Sequence, residues 1–182
     1  ETSLFVYAML NKDLGGPSQF YIKGIATGFG YNRYLLLPKL DDVKEYPFVA
    51  PFVSTTKSDK TQLNEKTTVT DAIKLLSDYV SPKVGQQWFV AGIKFTTYNI
   101  LDSVALLALK FGTKTEIGLV GFSEINYPKG NKPLIHAQLA LVASILSDEG
   151  IAAVNAQLTA ESYLFTEDCK LTGGFAFYLW FG

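Results

Sequence analysis

The chain has 182 residues, which is enough for a single domain with a sizeable core. Aromatic residues make up 14% and charged residues only 18%, a composition that argues against disorder and favours β structure. Sixteen Lys and Arg stand against 17 Asp and Glu, so the net charge is -1 and no basic excess indicates nucleic-acid binding.

The N-terminal part of the chain predicts a hairpin. Residues 3–10 form an apolar strand, and residues 11–17 carry the Asn, Asp, Gly and Pro of a turn. Residues 19–26 return as a second strand, after which glycines interrupt the pattern. Residues 34–38 are a short apolar run that ends in proline, and the sequence that follows shows no regular pattern of apolar residues.

The middle of the chain predicts one loop and one helix. Residues 54–68 are the one long polar stretch, which is typical of an exposed and mobile loop. Apolar residues then recur at helical spacing, which predicts one helix near 69–80. Pro82 is expected to end that helix.

From residue 87 onward the pattern predicts strands only, joined by short turn-forming segments. The predicted strands are 87–98, 103–112, 116–125, 134–146, 151–160 and 174–181. Because short connections join antiparallel neighbours, this half is predicted to be a β-meander.

One of these strands shows how the two faces of the sheet differ. In 134–146, Ile135 and Leu139 belong to a strongly apolar face, whereas His136 and Gln138 belong to a milder, nearly uncharged face. Such a sheet can pack a core on one side and a weaker partner on the other.

The last predicted strand, 174–181, has bulky apolar groups on both faces. They are Phe175, Phe177, Tyr178, Leu179, Trp180 and Phe181. An unpaired strand leaves backbone donors and acceptors open to any neighbour. We therefore expect an interface here for β-augmentation, and a domain that continues beyond these residues covalently or by packing against other copies.

Two blocks carry a resemblance to a known family. They are Gly-Phe-Gly-Tyr-Asn-Arg at 28–33 and Gly-Gly-Phe-Ala-Phe-Tyr-Leu-Trp-Phe at 173–181. Through nearly its whole length the chain resembles a family of very large bacterial and fungal proteins that carry a domain of unknown function. The resemblance implies that 1–182 is one β-rich domain, continued by further β-rich sequence, and it supplies no catalytic residues.

Residues with nucleophilic or phosphate-binding chemistry are few. His136 is the only histidine, and its position within a strand favours a partly buried, hydrogen-bonded side chain over a catalytic base. Cys169 has no cysteine to pair with in the chain and only Lys170 as a basic neighbour, which favours an inert thiol. Glycines at 28 and 30 lack the third glycine and the helix of a dinucleotide-binding loop, so we predict a bend or bulge with positive φ.

Acidic residues are the remaining candidates. Asp41, Asp42 and Glu45 form the densest cluster, but they lack calcium-loop spacing and alternate with lysines, which favours a solvated turn. Two carboxylates could act as acid and base on a glycoside, yet the sequence places no pair at the required separation. We assign no catalytic, cofactor-binding or metal-binding residue.

These observations predict a mainly β fold, with a large antiparallel sheet forming a sandwich, an open barrel or a trough, and one inserted helix. The function expected first is a non-catalytic structural or self-assembly module, whose partners are other copies of itself or other parts of a parent protein. One alternative is a β-trough or barrel that binds a lipid or other apolar ligand. The other is a polysaccharide hydrolase with unidentified carboxylates. Neither nucleic acid nor a transmembrane helix is expected.

Overall fold

A computed structural model describes residues 2–53, 74, 76–130 and 132–181. Ten strands form one antiparallel sheet, which confirms the mainly β prediction. The strands are β1 (Leu4–Leu10), β2 (Tyr21–Leu35), β3 (Val80–Thr97), β4 (Leu101–Phe111), β5 (Glu116–Tyr127), β6 (Ile135–Leu146), β7 (Ile151–Leu158), β8 (Tyr163–Leu164), β9 (Thr166–Lys170) and β10 (Gly174–Trp180).

The strand order follows the chain. Eight strands lie side by side in the order β1-β2-β3-β4-β5-β6-β7-β10, and the short β8 and β9 are attached beside one end of β6. From β3 to β7 the connections between strands are short, as the turn-forming segments predicted, whereas β2 and β3 are joined by the long connection 36–79. Because β1 and β10 lie at opposite ends of this order, the sheet is open.

The predicted strands of the second half are confirmed, but two strands are longer than predicted. The strand expected at 87–98 begins already at Val80, and the strand expected at 19–26 continues to Leu35. Residues 74 and 76–79 are helical. The remainder of the helix predicted near 69–80, and the loop predicted at 54–68, lie outside the described residues.

One face of the sheet, here called the covered face, is packed under the connection between β2 and β3. Residues 36–53 cross this face and contain a 3-10 helix (Leu40–Asp42) and α1 (Ala50–Val53). The side chains that this segment buries completely are Val43, Tyr46, Phe48, Val49 and Phe52. They pack on the inner residues of β3, β4 and β5, so the core is a layer of apolar side chains between one connection and one sheet face.

Small residues in β2 make room for that core. Gly24, Ala26, Gly28 and Gly30 alternate on the covered face, and a Cβ at Gly30 would lie 2.2 Å from Nε1 of Trp88. The predicted bend or bulge with positive φ at the two glycines of the 28–33 block is wrong, because both lie in regular strand. These glycines serve close packing instead.

The face that is covered is the milder one. Gln138 and Ala140 of β6 lie on the covered face and are each 2% exposed. Leu139, from the strongly apolar face of the same strand, is 36% exposed. The sequence pattern alone would have placed the core on the strongly apolar face. The structure places the core on the milder face instead.

Candidate interaction surface

The uncovered side of the sheet, here called the open face, carries an unbroken apolar surface. Three rows of directly opposed residues cross all eight strands, starting from Val6, Ala8 and Leu10 of β1. None of the residues in these rows is charged, and Thr27 is the only one with a polar side chain. The middle row consists of Ala8, Thr27, Ala91, Leu107, Leu119, Ala143, Val154 and Phe177.

Large side chains on this face are exposed even at the centre of the sheet. Phe89 is 41% exposed, Leu107 is 40% and Leu119 is 39%, although each has paired strands on both sides. Eight strands at about 4.8 Å and three rows at about 6.8 Å give a face of about 780 Å². The largest apolar patch of a typical monomer is about 300–600 Å², so this face is large enough to indicate an interaction site.

The charged residues of the same strands lie on the covered face. Lys110 Nζ is 2.5 Å from Glu116 Oε2 and donates to the carbonyl of Leu35 at 3.2 Å. Lys94 Nζ donates to the carbonyl of Phe52 at 2.6 Å, and burial lowers the pKa of this amine. Lys94 holds the covering segment to the sheet, and Lys110 binds the end of β2 directly before that segment. The three rows of the open face are left without charge.

Strand β10 forms one edge of the sheet. It pairs with β7 without a register break, and all seven of its residues are exposed. The amide of Phe181 donates to the carbonyl of Gly150 at 2.7 Å. In an antiparallel pair, alternate residues of a strand form hydrogen bonds with the same neighbour. The odd-numbered residues of β10 therefore bond to β7, and the even-numbered residues from 174 to 180 direct their amides and carbonyls to the outer edge.

The side chains predicted as an interface divide between the two faces of β10. Phe175, Phe177 and Leu179 extend the rows of the open face, where they are 48–57% exposed. Tyr178 and Trp180 lie on the other side, with their rings stacked 6.3 Å apart. Phe181 follows the strand directly and is 44% exposed. Phe175, Phe177 and Leu179 therefore lie at one end of the apolar surface that crosses the sheet, and the interface at β10 stays a prediction.

His136 has the surroundings that the sequence predicted. Its side chain is 15% exposed, and Nδ1 lies 2.5 Å from Asn126 Oδ1 and 3.7 Å from Glu124 Oε1. The ring also lies 5.4 Å from that of Tyr163. Cys169 is exposed and lies in β9.

The acidic cluster borders an open cleft. Asp41 and Asp42 belong to the 3-10 helix, and Asp41 and Glu45 line a cleft of about 240 Å³. At its rim Lys44 Nζ lies 2.6 Å from Glu161 Oε2, and this hydrogen bond lowers the pKa of Glu161. Among the described residues, no group of His, Cys, Asp and Glu has the arrangement of a metal site.

Two carboxylates lie directly opposite each other on neighbouring strands. Asp102 of β4 faces Glu124 of β5, and Asp102 Oδ1 is buried, 3.6 Å from Lys23 Nζ and without a hydrogen bond. The cavity beside this pair measures about 10 Å³. That is the space of one water molecule and is too small for a sugar ring.

The fold and the open face define a class of domain: an open antiparallel sheet with one covered and one uncovered apolar face. The model of DUF6603, a family of unknown function, matches residues 1–182, and the chain belongs to this family. No curated protein and no solved structure matches the chain. In the part of the chain that the structure describes, no helix has the length and apolar character needed to cross a membrane.

Proposed function

We propose that this domain is a non-catalytic structural module that works by self-assembly and that β10 is its docking strand. The observation that carries the proposal is the outer edge of β10, where all seven residues are exposed and alternate amides and carbonyls point away from the sheet. A strand of another chain that pairs with this edge would extend the sheet by β-augmentation. The resemblance to very large proteins supports placing such a module within a larger protein or assembly.

The edge of β10 lacks the features that keep edge strands from associating. Proteins protect such edges with charged side chains, prolines, bulges or a covering segment. The sequence of β10 is Gly-Phe-Ala-Phe-Tyr-Leu-Trp, without charge or proline, and its pairing with β7 shows no register shift. No described element pairs with its outer side. An edge of this kind favours pairing with another strand.

A proline in β10 tests the proposal. The amide of Ala176 points outward, so Ala176→Pro removes a donor from the free edge while leaving the bonds to β7 in place. We expect this variant to fold but to assemble much more weakly in sedimentation velocity. Ala176→Val, which keeps the donor, is the matched control and should assemble like the wild type. If Ala176→Pro, or a chain lacking 174–182, assembles as strongly as the wild type, β10 is not the docking strand.

A second candidate function is the binding of a lipid or other apolar ligand on the open face. The uncharged rows support it, because a large apolar surface can be covered by acyl chains as well as by protein. Native mass spectrometry of the purified protein tests this candidate. A bound non-protein mass that organic extraction removes is the expected result, and its absence would count against lipid binding.

The hydrolase alternative lacks an observation of this kind. Among the described residues, the directly opposed Asp102 and Glu124 border only the 10 Å³ cavity. We therefore rank a polysaccharide hydrolase below both binding functions.

A further inference from the structure

We infer that the open face packs against the open face of a second copy of this chain, so that two sheets form a sandwich around a shared apolar layer. This inference rests on the proposed self-assembly and names a surface for it other than the edge of β10. A sheet needs a second layer on each apolar face, and the covering segment 36–53 supplies a layer on one side only.

The chemistry of the open face selects an apolar and uncharged partner. Burying a polar group against these rows without a hydrogen-bond partner would be unfavourable, because the rows offer only the hydroxyl of Thr27. A second sheet with the same surface satisfies this requirement, since stacked sheets bring apolar side chains together at about 10 Å.

The size of the face matches a stable dimer. Its area of about 780 Å² is close to the 800 Å² or so that each partner contributes to a standard protein interface. Face-to-face packing of two copies would therefore cover both open faces in a single interface. It would also satisfy the isologous symmetry of most homodimers, in which each subunit contributes the same surface.

Charge and shape favour a second copy over a membrane surface. A domain that lies on an anionic bilayer usually has an excess of Lys and Arg, whereas this chain has 16 against 17 acidic residues. The face also combines bulky side chains, such as Phe29 and Phe89, with low positions, such as Ala105 and Gly121. Interdigitation of two sheets requires both kinds of position.

A lysine at the centre of the open face tests the inference. Leu107 and Leu119 are opposed there, about 40% exposed and distant from the edge of β10. We expect the wild-type chain to show a dimer in multi-angle light scattering and sedimentation equilibrium. Leu107→Lys and, separately, Leu119→Lys should raise the dimer dissociation constant about a hundredfold, because an unpaired charge would be buried in the interface. Circular dichroism and thermal melting should show that both variants remain folded.

The matched control is Phe165→Lys, which places the same charge on a side chain that is 66% exposed and lies in the tight connection between β8 and β9. It should leave the dimer unchanged. The inference is overturned by a wild-type chain that is monomeric at all concentrations, by lysine variants that dimerise like the wild type, or by a bound lipid in place of the second copy.

The two proposals can fail separately. If Ala176→Pro prevents assembly and Leu107→Lys does not, the edge of β10 is the interface, so self-assembly stands and the packing of open faces is wrong. If Leu107→Lys yields monomers and Ala176→Pro still dimerises, the open face is the interface and β10 is not. If neither variant changes the native mass of an assembled wild type, both proposals are wrong.

Discussion

The packing of Trp88 on Gly30 predicts that a single added methyl group will destabilise the fold. A Cβ at position 30 would lie 2.2 Å from Nε1 and 2.3 Å from Cε2 of Trp88. The indole is 1% exposed and has the ring of Phe48 6.0 Å away, so it has little room to withdraw. Overpacking of this kind costs about 1–3 kcal/mol, so we expect Gly30→Ala to lower the free energy of unfolding by about 2 kcal/mol.

Urea unfolding, followed by far-UV circular dichroism at one protein concentration, measures this change. With an m-value of about 2 kcal/mol/M, the midpoint should fall by about 1 M. The matched control is Gly173→Ala, outside the three rows of the open face, where the nearest atom to the new Cβ would be Leu158 Cδ1 at 3.8 Å. That variant should unfold within about 0.5 kcal/mol of the wild type. An unchanged midpoint for Gly30→Ala, or an equal loss in both variants, would refute the argument.

Two further predictions concern pH. Lys44 lowers the pKa of Glu161 in the folded state, so this pair stabilises the fold above the unfolded pKa of about 4.3 and the stabilisation is lost as pH falls through the folded value. Because Glu161 is 59% exposed, Glu161→Gln should cost only about 0.2–1 kcal/mol at pH 7. In chemical denaturation the difference in the free energy of unfolding from the wild type should shrink as the pH falls below the unfolded pKa of Glu161. Burial raises the pKa of Tyr7 to about 12, so the neutral phenol stabilises the fold below pH 10 or so, and this stabilisation is lost as pH rises through 12. Tyr7→Phe should remove one late phenolate absorbance step from an alkaline titration, and an unchanged titration curve would contradict the assignment.

The strands of the second half were predictable because each of them is bounded by residues that form turns. The segment Val80–Gln86 was not, because Pro82 after a helical pattern indicates the end of a helix rather than the start of a strand. The structure accommodates Pro82 opposite Arg33, next to a register shift in the β2–β3 pairing. Proline is tolerated at such irregular positions because fewer ladder bonds depend on its missing amide.

The open face was only partly predictable. The alternation in β6 separates two faces correctly, but it does not show which face is covered, since that depends on the covering segment 36–53, far earlier in the chain. The covering segment 36–53 has no clear periodicity in sequence and contains Pro47 and Pro51, yet it buries the largest aromatic cluster of the core. The best sequence signal for the open face is the absence of charge at alternate positions of the strands from β2 to β7.

The nearly sequential strand order has a consequence for how the chain folds. From β2 to β7, each strand pairs with the strand that precedes it in the chain, so the sheet can grow one strand at a time. Contacts between close neighbours in sequence form faster than distant ones, and no early strand has to wait for a late one. The exception is β10, which pairs with β7 although β8 and β9 lie between these two strands in the chain. The pairing of β7 should therefore be complete only when β10, the most exposed strand of the described sheet, has been added.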